Sequence, residues 1–297
     1  MSKTACMYPI VSAIMKAEKE FLGEHRTWLT TNSMQDRFTR VFIPLRNEIE
    51  RIPEIRSWAA KNAEELNAVL KTGGFDIQLQ PFPVLAPPLY AWGAVSILNV
   101  VSKWKVRGKK TTLRTPEREV FTAAHLKEDT VMFFMAEGHK HPIARISTGT
   151  EDLFFMTMFE KDSLEHFDLI VEAEKLTKKI SHSYEFSGLV FPFVDLDQRV
   201  DISWLKGMQT IDSENFPNEI TQALQQTKLK LNEFGAKVES AVAIAGVKGY
   251  TASISTPKLP HIINKPFLIW MRRPGLSQPL FVGHITKEDW KDPHSIG

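Results

Sequence analysis

The chain has 297 residues, 43% of them hydrophobic and 24% charged, enough apolar side chain to bury a large core. Its formal net charge is only +2, with acids and bases mixed along the chain, which gives no global bias toward nucleic acid or an anionic membrane. One cysteine, Cys6, excludes an internal disulfide and a thiol metal framework, and implies a reducing, intracellular compartment (host-cell cytoplasm for a viral source).

No apolar run reaches the ~18 residues that a membrane span needs. Ala5–Met15 is apolar but continues into Lys16, Glu18, Lys19 and Glu20 with no cleavage site, so it starts an amphipathic helix and not a signal peptide. Ile14, Phe21 and Trp28 recur near helical spacing and predict a helix over Ile10–Trp28. Ile52, Ile55, Trp58, Leu66 and Leu70 predict a second over Glu48–Leu70, closed by Gly73–Gly74. A connector with Pro81, Pro83, Pro87 and Pro88 follows, unsuited to a helix interior or central strand.

Beyond it the pattern turns to β. Trp92–Trp104 is apolar on both faces, as in a central strand. Val131–Met135, Asp152–Phe159 and Phe186–Val194 are rich in aromatic and β-branched residues and predict further strands. A helix is expected over Ser163–Ile180, acidic at its start and basic at its end, and a short one over Asp201–Met208. Thr227–Val247 is strand-like, and Pro266–Met271 and Pro279–Ile285 are two closing strands joined by Arg272-Arg273-Pro274-Gly275. Strands and helices do not alternate as βαβ units, and no linker separates domains, so a single α+β domain over 1–297 is expected.

Catalytic and metal constellations fail on inspection. His139 and His141 lack further ligands nearby and belong to a polar turn. Asp195, Asp197 and Asp201 open like a calcium loop, but the turn glycine is missing and Lys206 stands at the twelfth position. No phosphate loop or Gly-x-Ser-x-Gly elbow occurs, and Cys6 has no charged neighbour to favour a thiolate, so catalysis is not expected. Lys103, Lys105, Arg107, Lys109 and Lys110 form the densest basic cluster; interleaved with Trp104, they predict at most weak polyanion binding beside the commoner reading, a solvated strand end.

The C-terminal motifs carry a resemblance. Asn264-Lys265-Pro266-Phe267-Leu268-Ile269-Trp270-Met271 and Pro279-Leu280-Phe281-Val282-Gly283-His284-Ile285 resemble the signature strands of the serpin superfamily. Leu231-Asn232-Glu233-Phe234-Gly235 is similar to the serpin hinge, Trp204-Leu205-Lys206-Gly207-Met208 to its short Leu-rich helix, and Ile55-x-x-Trp58 to the helix lying across its main sheet. Pro192 falls where a strand proline is expected. The matches run in order over roughly residues 45–290. The resemblance implies a serpin-like domain with a large, mainly antiparallel central sheet and a second small, barrel-like sheet at the C-terminus. A reduced helix set is implied too, since a divergent helical segment, 1–45, replaces the family's first helices. The family's sheet-opening region maps onto Trp104 and Gln225, where Gln225 replaces a histidine, and the family's asparagine maps onto Ser96 or Asn99.

The resemblance also implies a mechanism: a loop cut after the hinge inserts as a new strand. Here Glu233 and Gly235 mark the hinge, and Ala236, Val238, Ser240, Val242 and Ile244 share one face at period two. Residues 245–260 are the reactive-loop equivalent, with Lys248, Gly249, Tyr250, Ser255 and Thr256 flanking the two candidate bait bonds. The expected partner is a protein, with no cofactor or metal. The bulkier Val238 and Glu239, the missing helices and Gln225 point to a non-inhibitory protein-binding module; the intact Glu233-x-Gly235 and the alternating hinge point to a suicide inhibitor of a serine or cysteine protease.

Overall fold

A computed structural model describes residues 1–86, 89–236 and 258–296. They cluster into two compact units: Met1–Ala5, Val100–Gln198 and Lys228–Gly297 form the first, Cys6–Asn99 and Arg199–Thr227 the second.

The chain begins with β1 (Lys3–Ala5) and α1 (Tyr8–Ala17), the latter opened by Pro9, whose missing N–H costs nothing in a first turn. The expected long first helix stops early. It passes through a π turn, Glu18–Leu22, to Gly23 at φ 88°, so Trp28 lies outside the helix. Trp28 is still tied to it, because its indole N–H donates to Glu18 Oε1 at 2.9 Å. Helix α2 (Ser33–Val41) is capped by Asn32, which accepts from Gln35 N. A 3-10 stretch, Ile43–Arg51, follows.

The predicted helix over Glu48–Leu70 is not formed as one element. Its middle is β2 (Ile55–Ala60), and only its end is helical, as α3 (Ala63–Thr72). Pro53 disfavours helical backbone at Ile52, and Asn62 starts the helix afresh by accepting from Glu65 N at 2.9 Å. The segment Ile55-x-x-Trp58, expected on a helix, is therefore strand. Helix α3 ends as expected, with Gly74 at φ 79° and Phe75 N donating back to Leu70 O at 2.9 Å. Strand β3 (Gly93–Leu98) pairs antiparallel with β2 over six residues. It is half-buried and has no other strand partner among the described residues, so Trp92–Trp104 is not a central strand. Leu66, Leu70, Ala60 and Val95 form the core beneath this pair, with Trp58 and Phe82 packed on it.

Next come β4 (Ser102–Lys103), β5 (Lys109–Arg114), β6 (Val120–Lys127), β7 (Val131–Ala136), β8 (Ile143–Ser147) and β9 (Leu153–Met158). Helix α4 spans Phe167–Thr177; the acidic start expected at Ser163 is not used, because His166 at φ 46° breaks the backbone just before Phe167. Then follow β10 (Ile180–Ser183), β11 (Gly188–Pro192) and β12 (Val194–Val200). The helix expected over Asp201–Met208 is a single 3-10 turn, Ser203–Leu205. Short strands β13 (Gln209–Ile211) and β14 (Pro217–Glu219) pair with each other. The chain closes with β15 (Gln225–Leu231), β16 (Gly235–Ala236), β17 (His261–Ile262), β18 (Phe267–Arg272) and β19 (Phe281–Ile285).

The largest sheet has seven strands in the order β1-β19-β18-β9-β8-β7-β10, and all its pairings are antiparallel. Strands β9, β18 and β19 are buried almost throughout, as their unbroken apolar runs require. Trp270 stacks on Phe155 with ring centroids 5.2 Å apart. The expected pairing of the two closing strands holds, with Ile269 opposite Gly283 and Phe267, Ile269, Leu280 and Val282 fully buried. They lie inside the largest sheet, however, and no closed barrel forms among the described residues. A second sheet runs β17-β11-β6-β5, and a third β12-β15-β16-β4. No helix is long and apolar enough to cross a membrane among the described residues.

Candidate functional site

The third sheet carries the predicted hinge. Strand β15 ends at Leu231, and the next four residues reverse the chain so that Ala236 pairs back onto Leu231. Asn232 makes this turn: its side-chain oxygen accepts from Phe234 N at 2.9 Å, and its N–H donates to Gly235 O at 3.1 Å. The backbone of 232–234 also receives donors from the other side. Trp104 Nε1 donates to Asn232 O at 2.9 Å, Gly108 N to Glu233 O at 2.8 Å, and Trp104 N to Phe234 O at 3.0 Å. The turn is held by a clasp, residues 102–108.

Strand β16 lies between β15 and β4, pairing Gly235 with Lys103 and Ala236 with Ser102. Glycine at 235 is a matter of space. A Cβ there would collide with Ser102 O and sit 2.8 Å from Lys103 Cα. Gly108 is equally close-fitting, since a Cβ would lie 2.7 Å from Leu126 Cδ2 and 3.0 Å from His125 O. Below the clasp, Trp104 is buried and meets Phe154 and Phe191 edge-on, at 5.5 and 6.1 Å. Above it, the Arg107 guanidinium lies 3.7 Å from the Phe234 ring centroid, and its Nη2 is 3.5 Å from Glu233 Oε1. Sequence reasoning missed this stack; the available signal was Phe at the hinge position where the resemblance leads one to expect Glu.

The structure thus brings together Glu233, Gly235, Ala236, Trp104, Lys103 and Arg107. Gln225 begins β15 and belongs to the second unit, where its Nε2 donates to Cys6 O at 2.8 Å. Ser96 and Asn99 also belong to the second unit, Ser96 opposite Ser57 in the β2–β3 pair. Val238, Ser240, Val242, Lys248, Gly249, Tyr250, Ser255 and Thr256 lie outside the described residues, as does the strand expected over Lys237–Ile244.

The basic cluster is partly neutralised. Lys110 pairs with Asp292 at 2.7 Å and Arg107 with Glu233, while Lys103, Lys105 and Lys109 are exposed with no ion pair among the described residues. His139 and His141 sit in the β7–β8 turn. His139 bonds Thr157 Oγ1 at 2.8 Å, and burial pushes its pKa down to about 4. No group of three metal-capable side chains occurs among the described residues. Burial pushes the Cys6 thiol up to about 12.

No protein-family model and no curated protein matches the sequence. Solved structures do match. SRPN18 of Anopheles gambiae is 10% identical with a TM-score of 0.54, over 99% of this chain and 93% of that one. Serpin48 of Tenebrio molitor, described as a highly specific serpin, is 12% identical with a TM-score of 0.50, over 94% of this chain and 96% of that one. At such identities the likeness is one of architecture, and it establishes that architecture: the chain has the serpin fold.

Proposed function

We propose that this protein is a serpin-fold protein-binding module, without catalytic activity of its own, that does not act as a suicide inhibitor. One observation carries the reading: Gly235 and Ala236 are already paired between β15 and β4. Insertion of a cut loop releases energy when backbone and apolar groups gain partners they lacked before. Where the first residues after the turn already hold those partners, part of that gain is spent in the resting protein. Less is left to drag a bound protease. The bulk of Val238 and the replacement of a histidine by Gln225 support the same reading. The likeness over 99% of the chain supports a single serpin-like domain over 1–297. In it, 245–260 serves as the partner-facing loop.

The test is incubation with a panel of serine and cysteine proteases, followed by denaturing gels. Cleavage between residues 246 and 256 with no SDS-resistant complex is expected; a covalent complex with any protease overturns the proposal. The inhibitor reading keeps the intact Glu233-x-Gly235 and the period-two alternation of the residues after it in its favour. The same gel decides between them. Any polyanion contact would run through Lys103, Lys105 and Lys109, and three charges imply weak, steeply salt-dependent retention on heparin.

A further inference from the structure

The clasp over the hinge turn displays side chains that the fold itself does not use. Phe234 is 40% exposed, and Val106, next to Arg107 in the chain, is 44% exposed. Both stand on fixed backbone, since Trp104 N donates to Phe234 O, Gly108 N donates to Glu233 O, and Gly108 has no room for a Cβ. The Arg107 guanidinium lies against the Phe234 ring without closing it off from water. Neither apolar side chain gains much from burial in the resting protein, and the ring stands where the resemblance leads one to expect a glutamate.

The charges around this ring are out of balance. Residues 103–109 carry four cations, Lys103, Lys105, Arg107 and Lys109, and the turn they hold carries one carboxylate, Glu233. The three lysines are exposed and have no ion pair among the described residues. Arg107 is engaged through Nη2 alone, by Glu233 Oε1 at 3.5 Å, and its guanidinium keeps other donors for a second carboxylate. Lys110, the next cation along, is already paired with Asp292.

We infer that residues 103–109, with the turn they hold, form a docking surface for an acidic protein segment that sets an apolar side chain between its carboxylates. Such a segment answers both features, its carboxylates meeting the unpaired lysines and its apolar group meeting Phe234 and Val106. A polyanion answers them less well. A sulfated polysaccharide brings no apolar group, and the carboxylate of Glu233 interrupts the positive charge that a continuous run of phosphates needs. Arginine and aromatic side chains are also the types enriched at protein interfaces. Because the turn and the clasp already fix each other's backbone, little order is lost when a partner docks. The inference rests on the protein-binding reading above and adds the chemistry of the partner.

The experiment titrates the full chain into a fluorescein-labelled peptide, Glu-Asp-Phe-Glu-Asp-Leu, and into its equally charged partner, Glu-Asp-Ser-Glu-Asp-Ser. A heparin oligosaccharide and an oligothymidylate serve as polyanions. The apolar peptide is expected to bind at least about fivefold tighter than the serine peptide, and tighter than either polyanion. Phe234→Ser and, separately, Val106→Ser are expected to reduce that preference. The Val106→Ser result decides if Phe234→Ser lowers the melting temperature. Replacing Lys103 and Lys105 together by glutamine is expected to weaken both peptides and to flatten the dependence on salt. Equal binding of the two peptides, no binding of either, or tighter binding of a polyanion overturns the inference. A covalent complex in the protease gel overturns the non-inhibitory reading and leaves this comparison intact, so the two failures are told apart.

Discussion

At the scale of single residues, the hinge is set by close approach. Gly235→Ala places a methyl group against Ser102 O, a backbone atom that cannot swing aside. The expected cost is about 2–3 kcal/mol, read as a lowered urea midpoint, and the mechanism is overpacking, since Gly235 is not at positive φ. An unchanged midpoint would show that β16 does not sit between β15 and β4. His261 makes a second prediction. It is 7% exposed, packed against Phe186 at 5.0 Å and Phe133 at 6.1 Å, with Nε2 unpartnered among the described residues. Burial, with a smaller push from His141, lowers its pKa from 6.5 to about 4. The folded state therefore binds its proton less readily than the unfolded chain. Stability is intact above pH 6.5 and falls as the pH drops toward 4, by up to about 3 kcal/mol for this residue. His139, lowered to about 4 by burial beside His141, Lys140, Lys161 and Lys175, adds in the same direction. Thermal melts at pH 7.5 and 4.5 are expected to show a smaller acid loss in His261→Phe than in wild type; equal losses would place the effect elsewhere.

At the scale of elements, the π turn after α1 is held by an ion pair. Glu18 is 2% exposed, accepts from Trp28 Nε1, and takes Arg46 Nη1 at 2.9 Å. Arg46→Met leaves a buried carboxylate without its cation, and a loss of about 3–5 kcal/mol in urea unfolding is expected. A loss under about 1 kcal/mol would mean the pair is solvated. Within the largest sheet, Ile269→Ala in β18 is expected to cost about 2–5 kcal/mol by the same measurement, because its fully buried site has no room to relax. The elements also mark where sequence reasoning succeeds. The β18–β19 pair was legible because two apolar runs flank Arg272-Arg273-Pro274-Gly275, and the turn and the runs agree. Strand β2 was not, because Ile55, Trp58, Leu66 and Leu70 also fit one helical face. Six pairings with β3, from a segment more than thirty residues away, outweigh that local periodicity. Strand β5 was hidden by its charges: Lys109 and Lys110 are exposed on a strand whose buried member is Leu113.

At the scale of the whole molecule, the open question is stored strain. With Gly235 and Ala236 already seated in the third sheet, cleavage of the chain between residues 246 and 256 is expected to raise the melting temperature by a few degrees at most. A rise of tens of degrees would show a large reserve and make the inhibitor reading the better one. The measurement needs only limited proteolysis and a thermal melt of the nicked protein.

The sequence by itself determined the α+β class and the buried closing strands, which rest on local chemistry: unbroken apolar runs and turn residues between them. The hinge was marked by resemblance alone, and the turn at 232–234 that breaks the strand-like stretch Thr227–Val247 is seen only in the structure. It also determined which residues alternate after the hinge. Only the tertiary structure decided what the hinge meets. That Trp104 and Gly108 donate to its backbone, that Arg107 stacks on Phe234, and that Gln225 bonds Cys6 depends on contacts between residues far apart in the chain. Such contacts leave no mark on local periodicity, because the energy that selects them comes from burial and hydrogen bonds made only once distant strands are in register.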